Sequence, residues 1–278
     1  MPTNVSRVAV LAAVAAFVGG CTSFGRPEPT ESMRRQNDAA AYLAHPITRG
    51  QLVLHADFML PPDHRLLTEL VAERELVSER LAIDPGSEPI HVHLFADEAS
   101  YRQHVAREYP DFPERRAIFV ETDVELHVYA HWGDAVADDL RHEVAHGYLH
   151  ASTPNLPLWL DEGLAEYFEV GRTSQGLNRP HVELLAGQLA IGGWKPNIAR
   201  LEQLAAAADM TQMDYAESWL WVHLLLESSD DASGPLIELL ADLRGGAPAA
   251  PLSRRLHGRF SDPEAALVEH LRKLRKAL

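Results

Sequence analysis

The sequence predicts an α+β fold: a small mixed β-sheet in the N-terminal half, packed on one helix, followed by an all-helical C-terminal half. Three observations carry this expectation. Short apolar runs with a period of two end near residue 131. From residue 134 onward apolar residues recur at helical spacing, segment after segment. Composition is that of a chain with a packed core, 46% hydrophobic and 23% charged.

The elements follow in order. Gln51 to Ala56 alternates as a strand does, and structure is expected to begin near Ile47. Leu66, Leu67, Leu70, Leu76, Val77 and Leu81 have helical spacing, and Asp84-Pro85-Gly86 ends that helix in a turn. Pro89 to Phe95 is a strand, and Asp97 caps a helix running to about Tyr109. Arg116–Glu121 and Glu125–Ala130 form two strands whose short connection predicts a hairpin. Helices are expected over 134–150, 158–170, 179–191, 198–207, 214–227, 234–243 and 262–278. The last has Asp262 and Pro263 at its start and basic residues at its end, which suits the helix dipole. No internal repeat is seen.

The formal net charge of −15 disfavours binding to phosphate backbones, so no nucleic-acid partner is expected. The single cysteine, Cys21, allows no intrachain disulfide. An apolar run from Val8 to Val18, preceded by Arg7, is too short to span a bilayer but suits the core of a secretory leader. Val18-Gly19-Gly20-Cys21 then resembles the bacterial lipobox. That resemblance implies a signal peptide at 1–20, lipidation of Cys21 and a polar, proline-bearing tether over 21–45. One domain would occupy 46–278, with a sheet-bearing part at 46–133 and a helical part at 134–278. The expected place is outside the cytoplasm, anchored by lipid to a bacterial membrane, with the outer membrane facing the periplasm favoured.

His142 and His146 lie four residues apart in an expected helix, on one face and roughly 6 Å apart along its axis. Imidazoles at that spacing can converge on one ion at about 2.0–2.1 Å. Glu143 lies about 100° around the helix, where it can serve as a general base without being a ligand. A third ligand is needed. Leu149 and Ser152 stand where the metzincin pattern requires glycine and histidine, and His150 is too far along the helix. An acidic stripe of Glu162, Glu166 and Glu169 on the following helix is the remaining source.

His142-Glu143-Val144-Ala145-His146 followed by Trp159-Leu160-Asp161-Glu162-Gly163 resembles the gluzincin peptidases, a group that includes thermolysin and the aminopeptidase N family. The resemblance covers roughly residues 134–168. It implies one zinc ion per chain, with His142, His146 and Glu162 as ligands and Glu143 as catalytic base. It also implies that Glu166, one turn after the third ligand, orients a ligand histidine. Relatives dock substrate backbone on an edge strand before the metal helix, and Glu125–Ala130 is the expected counterpart. They stabilise the developing oxyanion with a Tyr or His from later helices. Tyr215 is the preferred residue here and His223 the second. The exopeptidase motif of the aminopeptidases is absent, so an endopeptidase is favoured.

The expected function is therefore hydrolysis of peptide bonds in peptide or protein substrates by a membrane-anchored metallopeptidase. The alternatives are a non-catalytic zinc-binding envelope or assembly lipoprotein and a hydrolase of non-peptide amides. His91 and His93 share one face of a strand and are read as structural rather than as a second metal site. His127 and His131 are given no role.

Overall fold

The computed structural model describes residues 9–11, 46–228, 232–246 and 248–278. Cys21 and the tether lie outside the described residues, as does the expected leader except for Ala9–Leu11.

The expected α+β arrangement is found. Strands β1 (Ala9–Leu11), β2 (Ile47–Arg49), β3 (Leu52–Ala56), β4 (Ile90–Phe95), β5 (Ala117–Glu121) and β6 (Leu126–His131) form one mixed sheet in the order β1-β5-β6-β4-β3-β2. β3, β4 and β6 run parallel, while the β2–β3, β5–β6 and β1–β5 pairs are antiparallel. Parallel neighbours need a crossover. Helix α1 (Arg65–Leu81) supplies it between β3 and β4; helix α2 (Glu98–Glu108) and β5 lie between β4 and β6. Asp97 caps α2 through a bond from the Ser100 amide, as the sequence predicts.

Glu125–Ala130 was the expected edge strand, and this needs correction. β6 lies inside the sheet, between β5 and β4, and β5 is the outer member of the hairpin. A hairpin signal sets which two strands pair but not which of them takes a third partner. Here β4 pairs in parallel with β6. Ala9–Leu11 lies along the far side of β5.

Alternation sorts the central strands into two faces. Leu52, Leu54, Ile90, Val92, Leu126 and Val128 are buried in the main core. That core also takes in Leu66, Leu70 and Val77 of α1 and the apolar residues of helix α3 (Val136–His150). On the opposite face α2 contributes Tyr101 to a smaller cluster with Ile118, Val120 and Tyr129.

The remaining helices are α4 (Leu158–Phe168), α5 (Arg179–Ala190), α6 (Ile198–Leu201), α7 (Gln212–Glu227), α8 (Gly234–Arg244), α9 (Leu252–Leu256) and α10 (Pro263–Ala277). The helix expected over 198–207 stops at Leu201, and a single 3₁₀ turn follows at Ala207–Asp209. Ala205 and Ala206 favour a helix intrinsically, but they are exposed and offer no face to bury. Helix α7 starts at Gln212, two residues before the expected position, because Thr211 and Asp214 form a reciprocal capping box. It is buried almost all round and packs against α4, α5 and α10.

Candidate metal centre

Helix α3 is buried on nearly every side from His142 to Leu149, so its polar residues must find partners inside the protein. Asp138 and Asp139 in its first turn and His150 in its last complement its dipole. The connection to α4 turns at Asn155, whose φ of 59° suits asparagine, and α4 begins after Pro157. Arg141 Nε then donates to the Glu169 carbonyl at 2.5 Å, joining α3 to the end of α4. This brings Glu162 against the two histidines.

The donor atoms converge. His142 Nε2 and His146 Nε2 are 3.2 Å apart. Glu162 Oε2 lies 3.5 Å from the first and 3.8 Å from the second. Bonds of about 2.0–2.1 Å at tetrahedral angles put neighbouring donors roughly 3.3 Å apart. All three residues are buried, and neither Glu162 oxygen has a hydrogen-bond partner. A buried carboxylate without a hydrogen bond is costly, and a bound cation lowers that cost. His142, His146 and Glu162 thus form a buried cluster that can hold a metal ion.

Each histidine is held through its other nitrogen. His142 Nδ1 is 3.0 Å from Glu169 Oε2, and Asn178 donates to Glu169 Oε1 at 2.9 Å. His146 Nδ1 is 3.0 Å from Asp161 Oδ1. The other Asp161 oxygen meets His150 Nε2 at 2.9 Å, and His150 Nδ1 meets Glu121 Oε2 at 2.7 Å. The chain Glu121–His150–Asp161–His146 therefore links β5 to the cluster. Carboxylates so placed fix the tautomer that presents Nε2 to an ion and raise its basicity.

Glu166 does not occupy the place expected for it. Its Oε2 accepts from His181 Nε2 at 2.8 Å and from Asn178 Nδ2 at 3.3 Å, and Glu169 takes the contact to His142. One further turn of α4 carries the carboxylate to the far side of the imidazole, beside the end of the helix. Asp161→Asn and Glu169→Gln are each expected to weaken metal affinity roughly 10- to 100-fold. Competition with a chromogenic chelator measures this; unchanged affinity in both variants would refute the orienting role.

Charge is unevenly distributed here. Burial would push His142 down, but Glu162, Glu169 and Glu143 around it hold the imidazole well above its usual value. Burial raises Glu162 and Glu169, the latter to about 7 with help from the charge of Glu166. Burial also pushes Asp161 up, but His146 and His150 outweigh it and hold that carboxyl well below the usual range. Carboxylates outnumber the two histidines, so positive charge is favoured at their centre.

A cleft of about 840 Å³ opens onto this centre, lined by His142, Glu143, Glu166, Glu169 and His181 among others. His146 and Glu162 are fully buried beneath it. Glu143 is 1% exposed, its Oε2 has no hydrogen-bond partner, and burial pushes it up to about 7 against the opposing pull of His142 and His146. Tyr215, in the first turns of α7, is fully buried. Burial raises its hydroxyl, and the charges of Glu162, Glu166 and Glu143 reach it. His223, two turns further along, is not part of this arrangement: its Nδ1 is 2.9 Å from His270 Nε2, and burial pushes it down to about 3.

Sequence reasoning missed Asp161, His150, Glu121 and His181. Asp161 stands beside Glu162 in the recognised segment, and its position is signal enough in retrospect. His181 had none, being one of 15 histidines with no informative spacing. Comparison with protein-family models gives no match, and comparison with curated protein sequences gives no match either.

Proposed function

We propose that this chain is a zinc-dependent hydrolase of peptide bonds of the gluzincin type, favouring internal bonds, and that it works at a membrane outside the cytoplasm. The observation that carries the reading is the convergence of His142, His146 and Glu162 beside a buried carboxylate, Glu143, whose Oε2 has no hydrogen-bond partner and which lines a cleft. Two imidazole nitrogens and one carboxylate oxygen, closely spaced and buried, are a donor set suited to zinc. Bound there, zinc supplies a Lewis acid and makes water a stronger acid.

The chain's own residues do the rest. Glu143 Oε2 takes a proton from the attacking water and returns it to the leaving amine. Its raised affinity for a proton, a consequence of burial, suits a group that must both accept and release one near neutral pH. Tyr215 is the proposed donor to the developing oxyanion, with its hydroxyl kept protonated by burial. His181, which lines the cleft and is held by Glu166, is a second donor on the substrate side. Extended substrate would pair with the outer edge of β5, which Ala9–Leu11 now covers. Removal of residues 1–20 as a leader would free that edge. The extracytoplasmic placement rests on the lipobox-like Val18–Cys21 segment.

Purified protein should contain one zinc per chain and cut a degenerate peptide pool at internal bonds. Stripping the metal with a chelator should abolish cleavage, and zinc should restore it. Cleavage undiminished after complete stripping would overturn the proposal. Zinc retained without cleavage of any peptide would favour the non-catalytic envelope protein.

A further inference from the structure

Four histidines meet on the sheet face opposite α3. In the parallel register His55 of β3 pairs with His93 of β4, and His91 of β4 pairs with His127 of β6. Adjacent ring centroids in the cycle His55–His91–His127–His93 are 5.4, 5.5, 5.4 and 4.8 Å apart. All four are partly accessible, and they alternate along their strands with residues of the main core. The main core separates them from the cluster on α3.

Two nitrogen pairs are already at ligand spacing. His55 Nε2 is 3.1 Å from His91 Nδ1, and His93 Nε2 is 3.2 Å from His127 Nδ1. The second value equals the separation of His142 Nε2 and His146 Nε2 in the buried cluster. The far nitrogen of His127 lies 3.2 Å from Glu125 Oε2, the carboxylate–imidazole contact that orients a metal ligand and raises its basicity. Tyr129 stacks on His93 at 4.6 Å and steadies that ring.

We propose that His55, His91, His93 and His127 form a second metal site, taking a divalent first-row transition ion through imidazole nitrogen. Such ions suit an all-imidazole donor set, with copper(II) held most strongly. The ion takes the place of a proton shared between paired rings. That proton moves to the other nitrogen of the ring that donated it, so both rings stay neutral, both facing nitrogens offer lone pairs and no net proton is released. The opposite pair faces these rings at centroid distances of 4.8 and 5.5 Å, and its nitrogens would have to swing inward to add further donors. Burial and mutual repulsion keep His55, His93 and His127 in the neutral form that binds metals, His93 being pushed down to about 3.

The test uses full-length protein whose central site has been filled with zinc, titrated with copper(II) and read by electron paramagnetic resonance. Wild type should show one copper with nitrogen hyperfine structure. His55→Gln/His91→Gln and His93→Gln/His127→Gln should each weaken or abolish that signal while retaining the central zinc, which reports that they fold. His142→Gln/His146→Gln should keep the copper signal and lose the zinc, so failure of the hydrolase reading is distinguishable from failure of this one. A copper signal untouched by either ladder double variant would overturn the proposal. If those variants lose the central zinc, carbethoxylation of wild type decides: copper should protect the four histidines, and unchanged modification would overturn it.

Discussion

Glu143→Gln is expected to retain its metal and lose hydrolysis by about 10³-fold or more, within or above the usual range for removing a positioned general base. Glutamine preserves the shape of the side chain but cannot take up a proton. The ligand atoms belong to His142, His146 and Glu162, so metal content should stay at the wild-type level. The residue is buried and its Oε2 has no protein partner, so the exchange breaks no hydrogen bond at that oxygen. Replacing a group that burial has raised to about 7 with a neutral amide also removes the cost of charging it. The variant should therefore be at least as stable as wild type. Metal analysis, a melting curve and turnover on the peptide pool together read the effect. Full activity would sink the proposed proton transfer, and loss of metal would mean that Glu143 acts as a ligand.

Gly163→Ala is expected to cost both stability and metal affinity. Gly163 follows Glu162 directly and packs against Ser218 of α7. A Cβ there would sit 2.7 Å from the Ser218 carbonyl oxygen and 2.8 Å from its carbon. Backbone cannot turn aside as a side chain can, so the helices must separate. Overpacking of this kind costs roughly 1–3 kcal/mol, and alanine's better helix propensity returns about 1 kcal/mol at most. The melting temperature should fall by several degrees, and displacement of Glu162 should weaken the metal site. Gly187→Ala is the control. That glycine is exposed on α5 with nothing within 4 Å of the added carbon, so propensity alone should stabilise the variant slightly. Equal stability and zinc affinity in Gly163→Ala and wild type would refute the close-approach argument.

These two variants mark different depths of legibility. The position of Glu143 could be read from the sequence because helical periodicity places His142 and His146 on one face and Glu143 beside them. Gly163 was visible only as the last letter of a recognised segment. That its hydrogen faces the Ser218 backbone is a property of two helices 55 positions apart along the chain, as 218 − 163 gives. Glu166 is the instructive error. Spacing along α4 placed Glu162, Glu166 and Glu169 on one stripe correctly. Which of them meets His142 Nδ1 depended on how α3 and α4 cross, and that crossing selected Glu169.

The sheet divides the same way. Alternation in Leu52–Ala56, Ile90–Phe95 and Leu126–His131 determined which residues share a face, because a strand's period of two is local. Strand order was not local. Pairing of β4 with β6 put the expected edge strand inside the sheet, and it carried His91 and His93 alongside His55 and His127. By itself the sequence determined the α+β class, the histidine pair, the glutamate beside it and the acidic helix that follows. Only the tertiary structure decided which carboxylate holds each imidazole, that Glu143 Oε2 is left without a hydrogen-bond partner, and that four histidines from three strands form one cluster. The physical reason is that backbone periodicity fixes directions within an element, whereas contacts between elements depend on packing and chain closure over distances that no local pattern encodes.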